Sequence, residues 1–310
     1  MPIGNGRRGG GPGGNLCAPV TVCYIRTLNN YPNLNEPLEL RMRPSSLLVA
    51  ATAAACMLPL AGAFAKDEAL AKAVASQQRS PNFVARDQAR KPEQVLEFFG
   101  VKPTSTVVEI APGGGYWTEI LAPYLHDKGT YYTAITPRAS SERAATAADT
   151  WQKKLDGDKA RYGKVKIGDF GGGKFEPAPA GSADVVVTFR NVHNWMSQGT
   201  AEDAFASFYK TLKPGGILGV EEHRAPADKA QDPKAADGYV REDYTIALAE
   251  KAGFKLVGRS DVLNNPKDTK DHPKGVWTLP PTLALGEQDR AKYQAIGEAD
   301  NFLLKFQKPQ

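Results

Sequence analysis

Short apolar runs and amphipathic stretches alternate along the chain from residue 66 onward. Runs rich in β-branched and aromatic residues read as strands. They cover Thr106–Ala111, Thr130–Thr136, Val165–Asp169, Asp184–Phe189, Gly216–Glu221, Phe254–Asp261 and Asn301–Phe306. Apolar positions at helical spacing lie between them, over Tyr116–Leu125, Ser140–Leu155, Ala201–Leu212 and Glu242–Ala252, the last stopped by Gly253. Ahead of the first strand the pattern predicts helices over Asp67–Gln78 and Pro81–Arg90. A further one opens at Lys91-Pro92-Glu93, with Pro92 suited to the first helical position and Gly100 to the stop.

Alternation of this kind builds a mostly parallel sheet with helices on both faces. The fold class read from it is α/β: a Rossmann-like, doubly wound, seven-stranded sheet whose last strand is antiparallel. No clear crossover helix separates the final two strands, so they are expected to pair at the sheet edge. Residues 264–299, proline-rich and charged, read as a solvated loop insertion between them. Residues 66–310 are thus one domain, with residues 66–100 as N-terminal helices.

The N-terminus reads differently. Residues 1–41 are rich in Gly, Asn and Pro and look disordered, or like an over-extended start ahead of Met42. Residues 42–65 combine Arg43, an apolar run from Leu47 to Ala61 and Ala63-Phe64-Ala65, the layout of a signal peptide. The expectation is export, periplasmic if the signal is used and cytoplasmic otherwise, with no stable membrane span in the mature chain. Cys17, Cys23 and Cys56 all precede residue 66, so the body has no disulfide framework, cysteine zinc site or cysteine nucleophile. Of the net charge of +5, residues 1–65 carry +3, from five Arg against two acids. The nearly neutral body gives no electrostatic reason to expect nucleic acid. Oligomeric state is not legible.

The chemistry concentrates at Val107-Val108-Glu109-Ile110-Ala111-Pro112-Gly113-Gly114-Gly115. An acid ends an apolar strand, and a glycine-rich turn leads into a helix. Such a turn lets the backbone approach a ligand, and the helix aims unpaired N–H groups at it. A dinucleotide fingerprint needs a third glycine where Thr118 stands. The spacing fits E-x-A-x-G-x-G better.

This layout resembles class I S-adenosylmethionine-dependent methyltransferases, from about residue 80 to the C-terminus. Gly168-Asp169-Phe170, Phe189-Arg190-Asn191-Val192 and Leu212-Lys213-Pro214-Gly215-Gly216 support the resemblance. The last two are locally similar to quinone-biosynthesis methyltransferases, and the whole to predicted bacterial methyltransferases. The resemblance implies S-adenosylmethionine as cofactor. Glu109, Ala111, Gly113, Gly114 and Gly115 would hold its methionine part, Asp169 and Phe170 its adenine, and Arg190 the end of the fourth strand beside it. The chain departs from the family in two places. Ala111 replaces the first glycine, and Thr136 stands where an acid binds the ribose hydroxyls.

Asn191, His193, Asn194 and Trp195 follow the fourth strand, at the carboxyl edge where open α/β sheets bind ligands. His193 is the candidate general base. Asn191 and Asn194 are placed to orient a small-molecule acceptor and Trp195 to wall its pocket. A helix cap and a core tryptophan are the plainer alternative. Glu222 and His223, after the fifth strand, face the same crevice as substrate contacts or as a rim network. The spacing of Asp169, His193, Glu222 and His223 matches no compact metal motif, so no metal is expected. The expected function is methyl transfer to a small molecule by in-line displacement. The alternatives are a catalytically silent exported binding module of the same fold and a nicotinamide-dependent oxidoreductase.

Overall fold

The computed structural model describes residues 67–310, so the expectations for the signal peptide, the N-terminal segment and the three cysteines lie outside the described residues. The helices are α1 (Glu68–Val74), α2 (Pro81–Val84), α3 (Asp87–Arg90), α4 (Pro92–Phe99), α5 (Thr118–Leu125), α6 (Glu142–Asp156), α7 (Lys159–Tyr162), α8 (Val192–Gln198), α9 (Ala201–Thr211), α10 (Glu242–Lys251) and α11 (Arg290–Ile296). The strands are β1 (Thr106–Ile110), β2 (Thr130–Ile135), β3 (Lys166–Gly171), β4 (Lys174–Glu176), β5 (Ala183–Phe189), β6 (Leu212–His223), β7 (Lys255–Ser260) and β8 (Asn301–Gln307).

They form one eight-stranded sheet in the order β4-β3-β2-β1-β5-β6-β8-β7. Strands β3, β2, β1, β5 and β6 run parallel, and β8 is antiparallel to both neighbours. The doubly wound arrangement and the reversed strand near the edge are as expected. The strand beyond the expected seven is β4, which pairs antiparallel with β3 through a hairpin at Gly171–Gly173. With three residues it carries no periodic signal.

The central strands are apolar on both faces because helices cover both. On one face Val108, Ile110, Val186 and Val220 meet Trp195, Phe205 and Phe208 from α8 and α9. On the other Val107, Val185 and Val187 meet Leu96, Phe99, Ile120, Leu121 and Trp151 from α4, α5 and α6. Each such fully buried side chain contributes about 1.5–3 kcal/mol. The helix starts follow local chemistry. Asp67 caps α1 by accepting from the Leu70 amide at 2.9 Å, and Ser141 caps α6 by accepting from Ala144 at 3.1 Å.

Three stretches differ from the sequence reading. The single helix expected over Pro81–Arg90 is two short ones, α2 and α3, broken at residues 85–86. The segment after β5 is helical, as α8. Residues 264–299 are packed rather than merely solvated: Val276, Leu279, Tyr293 and Ala299 bury against Tyr239 in a small third core. No helix among the described residues is long and apolar enough to cross a membrane.

Candidate functional site

The turn after β1 is a left-handed bend. Ala111, Gly113 and Gly115 have φ of +52°, +57° and +90°. Glycine adopts such angles freely, whereas Ala111 is strained there. At Gly115 the φ of +90° strains any other residue, and a side chain there would also crowd Trp151 at 3.2 Å. Above Gly113 there is open space, with nothing within 4 Å of where a Cβ would sit. The Gly115 amide closes the bend onto Pro112 O at 2.9 Å. The amides of exposed Gly113 and Gly114 have no acceptor among the described residues. The bend is therefore not plugged. Trp117, just beyond it, carries a buried indole N–H without a partner among the described residues.

Glu109 does not point into this opening. It is 1% exposed, and its Oε2 accepts from Thr118 Oγ1 at 2.8 Å and from the Tyr131 hydroxyl. Burial pushes its carboxyl up to about 7, against the two hydroxyls that favour its charge. Its visible role is to tie β1 to β2 and α5 beneath the bend rather than to meet an ammonium.

The expected adenine and ribose contacts are not brought together around the bend. Phe170 is 3% exposed and packs against Phe208 and Trp195, which makes it a core residue. Asp169, its neighbour on β3, projects the other way because strand side chains alternate. It pairs with Lys174 at 2.5 Å and lines a separate groove with Tyr132 and Ile167. The Thr136 hydroxyl donates to Phe170 O at 3.3 Å. These three corrections share one cause: local packing uses the side chains that the sequence offers to a ligand.

The carboxyl ends of β5 and β6 open into a cleft of about 280 Å³, lined by His193, Asn194, His223, Arg190, Arg86 and Trp277 among others. His193 comes from α8. Its Nδ1 lies 2.9 Å from Glu222 Oε1, and its backbone N–H donates to Glu222 Oε2 at 3.2 Å. Burial alone would lower the His193 pKa, but the charge and hydrogen bond of Glu222 outweigh it, and the net shift is upward. His193 and His223 in turn hold Glu222 below the ordinary carboxylate range in spite of its burial. His223 sits 2.7 Å from Asn301 Oδ1 through Nδ1, and desolvation pushes it down to about 4. The two imidazoles stack at 5.5 Å.

The remaining expected substrate residues divide. Asn194 is exposed on the cleft. Trp195 is 5% exposed and belongs to the core, so the packing alternative holds for it. Asn191 spends its amide on Ile110 O, Thr188 Oγ1 and Phe189 O, at 3.3, 3.2 and 3.2 Å. It thereby locks the end of β1 to the end of β5, which sets the bend beside the cleft. Trp117 stacks on Phe189 at 4.1 Å and Arg90 lies over Tyr116 at 4.4 Å, so the far side of the bend also borders the cleft.

Sequence reasoning named Arg190 but missed Arg86, Arg90 and Glu298, which complete the charged wall of this cleft. Arg86, Arg90 and Arg190 all reach Glu298, at 2.5, 3.4 and 3.0 Å. Arg190 also has a positive φ of +61° and lies 3.5 Å from buried Glu221, whose carboxyl burial pushes up to about 7. Arg86 and Arg90 stand four apart in a stretch read as helix. That spacing was the available signal for one shared face.

Residues 108–220 match the family model of the methyltransferase domain. No curated protein matches the chain in sequence. Solved structures similar in fold include a SAM-dependent methyltransferase from Aquifex aeolicus, with 18% identity, 72% of this chain and 93% of that one covered, and a TM-score of 0.47. Another is the phosphoethanolamine N-methyltransferase 2 of Haemonchus contortus, solved with S-adenosyl-L-methionine, at 14% identity over 78% of this chain and 60% of that one, with a TM-score of 0.47. An arsenic(III) S-adenosylmethionine methyltransferase from Chlamydomonas reinhardtii is similar at 16% identity over 68% of this chain and 65% of that one, with a TM-score of 0.39. The matched segment runs from β1 to β6 with the bend near its start, and over it the chain carries a methyltransferase domain.

Proposed function

We propose that the protein transfers a methyl group from S-adenosylmethionine to a small-molecule acceptor held in the cleft between β5 and β6. The observation that carries this reading is the open left-handed bend, with the unpaired Gly113 and Gly114 amides, set directly beside a cleft that holds a histidine–carboxylate pair. S-adenosylmethionine supplies, when bound, a methyl group already activated by its sulfonium charge.

The chain's own contribution is then alignment and proton handling. The Gly113 and Gly114 amides fit the carboxylate of the methionine end, as oriented amides fit anions generally. Glu109, through Thr118 and Tyr131, keeps β1, β2 and α5 in place under the bend. Glu222 holds Nδ1 of His193, which leaves the other ring nitrogen to take a proton from the acceptor. Arg86, Arg90 and Arg190 favour an acceptor with negative or strongly polar groups. Export through the N-terminal segment remains part of this proposal.

One observation favours a second reading, a silent binding module of the same fold. The ribose side offers only Thr136, whose hydroxyl is turned to Phe170 O. A neutral hydrogen bond is worth about 1 kcal/mol against about 1.5–3 for a charged one, which weakens binding by about a decade. Titration calorimetry with S-adenosylmethionine, S-adenosylhomocysteine and NAD separates the readings. Binding of S-adenosylhomocysteine, lost in Gly113→Val, supports the transferase. A folded protein that binds none of the three leaves only the silent module.

A further inference from the structure

We propose that His193, Glu222 and His223 form a binding site for one divalent transition-metal ion. One ligand atom from each of the three lies within 4.8 Å of the others. Two of them, His193 Nδ1 and Glu222 Oε1, are already 2.9 Å apart. An ion with bonds of about 2.1 Å at angles near 90–110° holds neighbouring ligand atoms about 3.0–3.4 Å apart. The first pair therefore needs almost no movement, and the third ligand atom lies within 4.8 Å of both. Asp169, which the sequence offered as a fourth candidate, is not part of the group.

Three features set this cluster apart from a chance meeting of polar side chains. First, the carboxylate is fixed. Glu222 is fully buried, and it accepts backbone N–H groups from His193 at 3.2 Å and from His223 at 2.8 Å. Second, His223 is oriented from behind. Its Nδ1 meets the buried Asn301 Oδ1 at 2.7 Å, so Nδ1 carries the proton and Nε2 is the nitrogen left to ligate. A hydrogen-bonded outer partner of this kind accompanies most metal-bound histidines. Third, both histidines line the open cleft while Glu222 sits behind them. The ion has an entry path, and a coordination position remains for water or another molecule from the cleft.

The donor set selects the metal. Two imidazoles and one carboxylate suit Zn²⁺, Co²⁺, Ni²⁺ or Fe²⁺, whereas Mg²⁺ and Ca²⁺ favour all-oxygen sites. Binding replaces the proton between His193 and Glu222, so the ion and the histidine–carboxylate base are alternative states of one cluster. The site stands on its own, because its test reads metal binding and not methyl transfer.

The experiment is titration of chelator-treated full-length protein with Co²⁺, read by visible absorption and by calorimetry, followed by displacement with Zn²⁺. The expected result is one ion per chain with visible bands that vanish on adding Zn²⁺. His223→Asn should abolish the bands. Asn301→Ala, which leaves all three ligands in place, should weaken binding about tenfold or more. His126→Ala serves as control at a separate histidine–carboxylate pair, His126–Asp127. It should leave the titration unchanged. Binding that is lost in His126→Ala but survives His223→Asn overturns the proposal, as does a folded wild-type protein that takes up no Co²⁺. If His223→Asn fails to fold, unaltered affinity in Asn301→Ala overturns it equally.

Discussion

Glu109→Gln should make the protein more stable at neutral and alkaline pH, and by an amount that the burial of this carboxyl sets. In the folded chain the carboxyl is held up to about 7, from an ordinary value of 4.5. Below the ordinary value both the folded and the unfolded chain carry the proton, and the group has no effect. As pH rises toward 7 the unfolded chain ionises while the folded chain still holds its proton. Stability is then lost, and the loss levels off once the folded carboxyl also ionises. Each pKa unit corresponds to about 1.4 kcal/mol, so the full loss is about 3 kcal/mol. For a domain of this size that is a Tm difference of roughly 6 °C or more. Glutamine keeps the shape and a carbonyl oxygen that can accept from Thr118 and Tyr131, yet it cannot ionise. Thermal unfolding of both proteins from about pH 4 to about pH 8 is the assay. Glu221 has a similar raised carboxyl and adds its own slope, but it is present in both proteins and drops out of the difference. The variant should gain on the wild type between about pH 4.5 and pH 7 and hold a constant lead above that. A difference that stays flat across this range refutes the reasoning. So does a variant that is less stable at about pH 8, since that would mean the charged form is the one the fold requires.

Two other outcomes are expected. Ala111→Gly should stabilise the protein by about 0.5–1 kcal/mol in chemical denaturation, since relief of about 1–2 kcal/mol of left-handed strain is partly offset by the greater freedom of glycine when unfolded. Glu222→Gln should move the His193 titration, followed by NMR, to lower pH. The carboxylate is what raises it, and an unmoved titration would show that it does not.

The sheet was legible because its central strands are long apolar runs bounded by glycine and proline, a pattern that depends on few competing forces. The bend was legible for the same reason: Gly113-Gly114-Gly115 has little use other than close backbone approach. What failed was the step from a residue's position to its direction. Asp169 and Phe170 are adjacent on a strand and cannot both face one ligand, and the period of two made that available from sequence. Glu109 was harder, since nothing local says that Tyr131 and Thr118 would claim its carboxylate. The insertion was misread because its few apolar residues, such as Val276, Leu279 and Tyr293, have no regular spacing. Irregular packing against Tyr239 leaves no periodic trace. The arginine wall needed contacts more than a hundred residues apart, between α3 and the segment before β8.

Asn191 joins the ends of β1 and β5, but what lies on either side of that joint comes from different parts of the gene product. The bend and the strands β1 and β2 that flank it are written within residues 106–135. Much of the cleft, with Trp277, Pro280 and Ala299 among its walls, is written after residue 220, where the matched family segment stops. The match over residues 108–220 therefore covers the bend but leaves out this part of the cleft wall. Under the proposed function, a search for the acceptor is best guided by the connection between β7 and β8, which supplies those walls.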